Sequence, residues 1–161
     1  MHQGADRIRP DSESRERVLD PARPVLAASI AVFREGLVLL AARGKPPMAG
    51  VFSLPGGVVE RGETLAEAAL RELREEVGVE AELLGFVTHV EVIDRDASGE
   101  PIRHFVIAAH AGRWLSGEPC TGPEALEIRW VNPACVGELR TTPHLADVVA
   151  KAAVIALGQN S

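Results

Sequence analysis

The stretch GVVERGETLAEAALRELREEVGV, residues 57–79, contains the strongest helix signal in this chain of 161 residues. From Thr64 to Val77 it has neither glycine nor proline, and Thr64 with Glu67 has the spacing of a capping box. Gly78 is a residue type that commonly ends a helix, because glycine adopts the left-handed conformation without strain. The stretch therefore predicts a helix that begins at Thr64 and ends at Val77.

Three glutamates lie on one side of this predicted helix. At about 100° per residue, Glu75 lies at about -60° and Glu76 at about +40° from Glu72, beside the apolar stripe that faces the core. Like charges at these spacings repel each other and destabilise a helix. A hard divalent cation would remove the repulsion, since magnesium takes oxygen ligands and keeps several waters beside one or two carboxylates. The residues alone leave two interpretations open, a solvated acidic face and a cation site.

The whole stretch resembles the sequence box of the Nudix family. The family pattern is glycine, five residues, glutamate, seven residues, arginine and glutamate, an aliphatic residue, any residue, two glutamates, any residue, glycine and an aliphatic residue. Every specified place is filled here, by Gly57, Glu63, Arg71, Glu72, Leu73, Glu75, Glu76, Gly78 and Val79. A match of this length is far more specific than a lone glycine motif, and it favours the cation site over the acidic face.

The resemblance implies a cation-dependent phosphate chemistry. Glu72, Glu75 and Glu76 would hold divalent cations, mainly magnesium with manganese as a substitute, and the backbone carbonyl of Gly56 would add an oxygen. Family enzymes split a nucleoside diphosphate linked to another group, by attack of water on phosphorus. Glu75 would take the proton from that water, although the family uses no single universal base.

Other places in the box have structural or substrate-binding roles by the same resemblance. Arg71 and Glu63 would pair and fix the loop against the helix, and Gly78 would end the helix. Gly57 would lie against the substrate.

Residues outside the box extend the resemblance to about residues 25–157. The lead-in GVFSLPGG, residues 50–57, has Phe52 where the family often has tryptophan, and Phe52 is a candidate substrate contact. Arg43 stands where the family often has an arginine near the substrate phosphates, and a guanidinium fork suits phosphate. Glu124 lies in the loop where members often bring a further acid to the metal, with Glu127 and Glu118 as competitors.

Later segments are similar to an ADP-ribose pyrophosphatase-like subgroup. They are the turn at residues 94–100, RHFVI at 103–107, GEP at 117–119 and EALEIRWV at 124–131. The leading hypothesis is therefore hydrolysis of ADP-ribose to AMP and ribose 5-phosphate. Two alternatives are a pyrophosphatase that removes damaged nucleoside triphosphates and a non-catalytic Nudix ligand sensor. Members are often homodimers, but the sequence marks no interface.

The remaining periodicity predicts an α/β (α+β) architecture, a mixed sheet sandwiched between helices, in the order β-β-β-α-β-β-β-α. The resemblance implies that this is the Nudix fold. Strands are predicted at 25–33, 37–41, 51–54, 79–93, 102–111 and 126–131, a break at 55–57, loops at 43–50 and 112–123, a helical turn at 133–139 and a closing helix at 144–157.

Composition bounds the domain and its setting. Residues 1–23 are polar and without apolar period, which predicts a flexible leader before a domain at 24–161. A net charge of -6 argues against non-specific binding to nucleic acid, and no apolar run is long enough to span a membrane. Cys120 and Cys135 are in no metal-type spacing, so we expect free thiols in the cytoplasm.

Overall fold

Seven strands and two α-helices form from the part of the chain that this computed structural model describes, residues 23–46 and 48–158. The elements are β1 Val25–Arg34, β2 Leu37–Arg43, β3 Phe52–Ser53, β4 Gly56–Val58, α1 Leu65–Val77, β5 Glu80–Arg95, β6 Pro101–Ser116, β7 Ala125–Val131, a 3₁₀ helix at Pro133–Glu138 and α2 Leu145–Gly158. The predicted leader lies outside the described residues except for Arg23.

The strands form one mixed sheet with β1 at its centre. β1 pairs in parallel with β6 on one side and antiparallel with β2 and β4 on the other. β5 and β6 form a long antiparallel hairpin at one edge of the sheet, while β3 and β7 both pair with β2. The predicted mixed sheet is confirmed.

Each face of the sheet carries one α-helix over its own apolar core. Along β1, Ile30 and Val32 face α1, while Ala31 and Phe33 face α2, as the twofold alternation of a strand requires. Because β1 is covered on both faces, nearly all of its side chains are buried, and its sequence is an almost continuous apolar run. Complete burial of each large aliphatic side chain contributes about 1.5–3 kcal/mol, so both helices are held firmly against the sheet.

The helix α1 has the ends that the sequence predicts. The Thr64 hydroxyl accepts a hydrogen bond from the Glu67 backbone at 3.1 Å, and the Thr64 backbone donates to the Glu67 carboxylate at 2.9 Å. Gly78 ends the helix with a φ of 71°, and its N–H donates to the Arg74 carbonyl at 3.0 Å. The capping box and the glycine stop are both confirmed.

Two boundaries predicted from the sequence are wrong. Residues 56–58 continue as a strand after Pro55, because β4 pairs with residues 27–29 of β1. A Cβ at Gly56 would run into the Ala28 carbonyl oxygen and lie 2.7 Å from the Ser29 Cβ, so the glycine permits this close approach. The predicted loop at 112–123 is also too long, since β6 runs to Ser116 and pairs with β5 as far as Glu80.

Four local features complete the fold: the first turn, the end of β2, the two cysteines and the length of the helices. The turn between β1 and β2 consists of Glu35 and Gly36, both with positive φ, which suits the right-handed twist of a hairpin. Arg43, placed in the following loop by the sequence, is the last residue of β2. Cys120 and Cys135 are free thiols. None of the helices in the described residues is long and apolar enough to cross a membrane.

Candidate active site

The packing of α1 determines where its glutamates point. Its buried residues, Ala68, Ala69, Leu73 and Val77, lie against β1 and fix the rotation of the helix. Glu72 and Glu76 lie one turn apart, beside that stripe, and meet the backbone of β4. A Cβ built on Gly57 would lie 2.5 Å from the Glu72 carboxylate oxygen Oε1, so only glycine leaves room for this carboxylate.

Arg71 joins the loop before α1 to the helix. Its Nε and Nη2 donate to the two carboxylate oxygens of Glu63 at 3.0 and 2.6 Å, and Nη2 also donates to the Val58 carbonyl at 3.1 Å. Its Nη1 donates to Glu72 at 2.8 Å and to Glu75 at 3.1 Å. The hydrogen bond to Glu63 raises the pKa of Arg71 above its ordinary value; burial opposes the rise, and the hydrogen bond to Glu72 and the charges of Glu72 and Glu63 add to it. Arg71 is therefore a permanent cation with all of its partners within the motif.

This arrangement divides the three glutamates into two kinds. Glu72 and Glu75 share the positive charge of Arg71, and the Glu75 side chain is 60% exposed. Glu76 receives no such hydrogen bond from Arg71. The repulsion that the sequence assigned to all three acids is therefore concentrated on Glu76.

The surroundings of Glu76 disfavour its negative charge. Burial, then the charge of Glu72, then the charge of Glu124 raise its pKa to about 8, while a hydrogen bond from the Gly56 backbone and the charge of Arg43 oppose the rise. The Gly56 backbone is thus hydrogen-bonded to the Glu76 carboxyl group, and the charges of Glu72, Glu124 and Arg43 act on it. The chain brings these residues from α1, from β4, from the end of β2 and from the loop before β7.

Arg43 lies at the end of β2 and Glu124 in the loop before β7, and the backbone ties these two segments together. The Gly44 N–H donates to the Glu124 carbonyl at 3.0 Å, and β2 pairs with β7 immediately beyond this bond. Of the three acids considered for this place, Glu124 is the one whose charge acts on Glu76. Glu127 pairs with Arg129, which lies over the Phe52 ring on the α2 face of the sheet, and Glu118 pairs with Arg34.

Phe52 does not reach the surface of this site. Its side chain is 5% exposed and packs in the core under α2. A substrate contact through this ring would require that core to open, so the structure corrects the expectation of a substrate contact and supports a packing role for Phe52. The Arg129 guanidinium lies 5.1 Å from the centre of the Phe52 ring. Arg129 therefore lies on the face of β7 that points away from the glutamates of α1.

The residues present suit a hard divalent cation that completes its shell with water and substrate. Burial and then the charges of the Glu72 and Glu124 carboxylates raise the pKa of Glu76, and a cation bound to these oxygen ligands would compensate their charge. Among the described residues, no group of three or more His, Cys, Asp or Glu side chains is already arranged to hold a metal ion. Magnesium, which needs only one or two carboxylates besides water and phosphate oxygens, fits such an open site.

Two features of the site gave no signal in the sequence. The Val58 carbonyl accepts a hydrogen bond from Arg71. Because every residue has a backbone carbonyl, only the packing of β4 beside α1 reveals this contact. Gly44 anchors the Glu124 loop through its N–H, which is equally invisible in a residue pattern.

Known proteins are similar to this chain in sequence. The NUDIX domain family model matches residues 23–152. An ADP-ribose pyrophosphatase of Methanocaldococcus jannaschii is 31% identical over 106 residues, which cover 65% of this chain and 63% of that protein. An 8-oxo-dGTP diphosphatase of Proteus vulgaris is 33% identical over 92 residues, covering 56% of this chain and 77% of that one.

A solved structure extends the likeness to the fold. The crystal structure of a MutT NUDIX hydrolase from Burkholderia pseudomallei is 27% identical, with a TM-score of 0.70, and the match covers 80% of this chain and 98% of that one. The chain spans less than two thirds of the length of the M. jannaschii relative.

Proposed function

The chain belongs to the Nudix family, and from this premise we propose that it hydrolyses the diphosphate linkage of a nucleoside diphosphate joined to another group. The convergence of Glu72, Glu124, Arg43 and the Gly56 backbone on Glu76 carries the proposal. Carboxylates bind a divalent cation and an arginine binds a phosphate, so this group of residues is suited to binding the two together.

Each residue of the proposed site has a role that its surroundings support. Glu72, Glu76 and Glu124 hold the cation, with Gly56 supplying a backbone oxygen, and Arg71 orients Glu72. A bound magnesium ion supplies positive charge that polarises the phosphate oxygens and stabilises the charge that develops on them. Arg43 binds a phosphate group, and Gly57 leaves the space that the Glu72 carboxylate and the substrate share.

Glu75 remains our candidate for the general base. Its carboxylate is accessible to water and is oriented by the Nη1 of Arg71. In this position it can accept the proton of the attacking water while Glu72 and Glu76 bind the cation.

We propose ADP-ribose as the substrate. Attack of water on one phosphorus breaks a bond to the bridging oxygen and yields AMP and ribose 5-phosphate. The M. jannaschii relative, an ADP-ribose pyrophosphatase, supports this choice, as do the segments at 94–100, 103–107, 117–119 and 124–131 that resemble the same subgroup. The P. vulgaris relative favours a second candidate, hydrolysis of a damaged nucleoside triphosphate to a monophosphate and pyrophosphate.

A substrate panel tests the proposal. Purified protein with magnesium is incubated with ADP-ribose, dinucleoside polyphosphates, NADH and modified nucleoside triphosphates, and the products are separated by chromatography. We expect AMP and ribose 5-phosphate from ADP-ribose, and a loss of about 10²–10⁴-fold in kcat for Glu76→Gln and Glu75→Gln. Glu127→Gln, whose side chain lies on the opposite face of β7, is the matched control and should retain full activity.

The outcomes separate the candidates. Pyrophosphate from a modified nucleoside triphosphate, without turnover of ADP-ribose, selects the second candidate. Tight binding of one compound without turnover of any selects a ligand sensor instead of an enzyme. Unchanged turnover in Glu76→Gln rules out the site itself.

A further inference from the structure

A short segment between β6 and β7 crosses the C-terminal end of α1. It comprises residues 117–124, GEPCTGPE, and we call it the strap. The strap ends with Glu124, the acid that acts on Glu76 from outside the helix. Whatever fixes the strap therefore fixes the position of this acid.

The middle of the strap is held against α1 by backbone contacts. The Cys120 N–H donates to the Val77 carbonyl at 3.1 Å, which satisfies one of the carbonyls left unpaired at a helix end. A Cβ on Gly117 would collide with the Gly78 carbonyl oxygen, and one on Gly122 would lie 4.0 Å from the Glu76 carbonyl oxygen. The strap thus follows the last turn of α1 closely.

The beginning of the strap is held by side chains that lie outside the family motif. The Trp114 indole Nε1 donates to the Gly117 carbonyl at 2.8 Å. The Arg34 guanidinium lies 3.9 Å from the centre of the Trp114 ring and donates to the Glu118 carboxylate at 2.8 Å. Arg34 also approaches the Trp130 ring, at 5.9 Å. One arginine therefore connects β1, β6, β7 and the strap.

The far end of the strap is fixed by the hydrogen bond from Gly44 to the Glu124 carbonyl and by Ala125, which is buried under α1. The strap is therefore attached to the rest of the fold at both ends and in its middle, and these contacts together place Glu124 relative to α1. Arg34 is its one attachment through a side-chain charge within the described residues.

We infer that Arg34 is a positioning residue of the cation site, acting through the strap to hold Glu124 opposite the glutamates of α1. The inference rests on the proposed function, since it assumes that Glu124 contributes to cation binding. An exposed arginine–glutamate pair by itself contributes little. Arg34 differs because its guanidinium is also stacked on Trp114, whose own indole holds the first residue of the strap.

A double-mutant cycle on cation binding tests this role without relying on turnover. Manganese binding to metal-free protein is measured by electron paramagnetic resonance for wild type, Arg34→Gln, Glu124→Gln and the double variant. We expect Arg34→Gln to weaken manganese binding about tenfold, as loss of a partner that orients a ligand does. In the Glu124→Gln background the same substitution should have no further effect, because the acid that Arg34 positions is absent.

Two further variants make the result specific. Arg113→Gln is the matched control. Arg113 lies in β6 beside Trp114 and pairs with Glu82 of β5 at 3.0 Å, and this pair does not involve the strap. The manganese affinity of Arg113→Gln should therefore match that of wild type. Trp114→Phe keeps the ring under Arg34 but removes the donor to Gly117, and it should reproduce part of the loss even if Arg34→Gln does not fold.

The opposite results overturn the inference. Equal weakening by Arg34→Gln in both backgrounds means that it does not act through Glu124, and wild-type affinity in Arg34→Gln means that it positions nothing. If Glu124→Gln binds manganese normally while Glu76→Gln does not, the positioning role fails and the proposed function stands. If Glu76→Gln also binds normally, the proposed function fails.

Discussion

Glu76 combines a buried carboxyl group with two negative neighbours, Glu72 and Glu124, and the result is a pKa of about 8 in place of 4.5. Arg71 does not lower this pKa through a hydrogen bond to Glu76, because its guanidinium is already bonded to Glu63, Glu72 and Glu75. Without a cation, the folded protein therefore holds a proton on Glu76 at neutral pH, whereas the unfolded chain does not. In the proposed cation site, function at this residue therefore opposes stability, a common cost of a binding site.

The stability of the metal-free protein should depend on pH through this residue. The native state binds the extra proton between about pH 4.5 and 8, so the stabilisation is complete below 4.5 and is lost as the pH rises through 8. Because a tenfold change in proton affinity corresponds to about 1.4 kcal/mol, the free energy of unfolding should fall by on the order of 3 kcal/mol across this range after solvent screening. Denaturant unfolding with a chelator present, from pH 5 to 9, measures it.

The matched variant is Glu76→Gln, which cannot titrate. It should remove this part of the pH dependence and make the metal-free protein more stable than wild type at pH 9. A wild-type protein with the same pH dependence as Glu76→Gln would show that Glu76 is not protonated in the fold.

At the scale of the element, α1 is held to the preceding loop by a single arginine. Arg71 makes five hydrogen bonds, to both oxygens of Glu63, to Glu72, to Glu75 and to the Val58 carbonyl. The planar fork of an arginine matches these acceptors, and a lysine ammonium cannot reach them together. The pairing with Glu63 follows the family pattern, but the additional bonds depend on how β4 lies against α1.

Arg71→Lys should therefore lose both stability and activity. We expect a decrease of about 1–3 kcal/mol in the free energy of unfolding, since buried acceptors lose charged donors, and about a 10–100-fold decrease in kcat/KM, since Glu72 loses its orienting partner. Chemical denaturation and the ADP-ribose assay measure the two effects.

Arg74→Lys is the control on the same helix. Arg74 pairs with Glu80 at 3.6 Å with both side chains half exposed, so its replacement should change stability by less than about 1 kcal/mol. Similar losses in the two variants would contradict a special role for the Arg71 fork.

At the scale of the whole molecule, the proposed site joins three segments that are far apart in the sequence. Glu76 comes from α1, Arg43 from β2 and Glu124 from the strap, and they meet only when the sheet has formed. A cation bound between them therefore binds the native state and not the unfolded chain. Its binding must also displace the proton of Glu76, so affinity should rise with pH up to about 8.

Magnesium should consequently raise the melting temperature of the protein. At a concentration 100 times the dissociation constant, binding contributes about 2.7 kcal/mol, which corresponds to roughly 5–10 °C for a domain of this size. The increase should be larger at pH 8 than at pH 6, should disappear with a chelator, and should be absent in Glu76→Gln. Differential scanning calorimetry measures it, and an equal increase in Glu76→Gln would show that the ion binds elsewhere.

The sequence by itself determined the family, the capped helix α1 and the mixed sheet between helices, and it supplied the proposal that Glu72, Glu75 and Glu76 form the cation site. These features depend on short-range spacing, which residue types reveal directly. Only the tertiary structure decided that Arg71 is bonded to Glu72 and Glu75 and leaves Glu76 with a raised pKa, that the charge of Glu124 and not of Glu118 or Glu127 acts on Glu76, that Phe52 is buried, and that Gly56–Val58 continue as a strand. Each of these depends on contacts between segments far apart in the chain, where pairing register and packing, not local pattern, place the side chains.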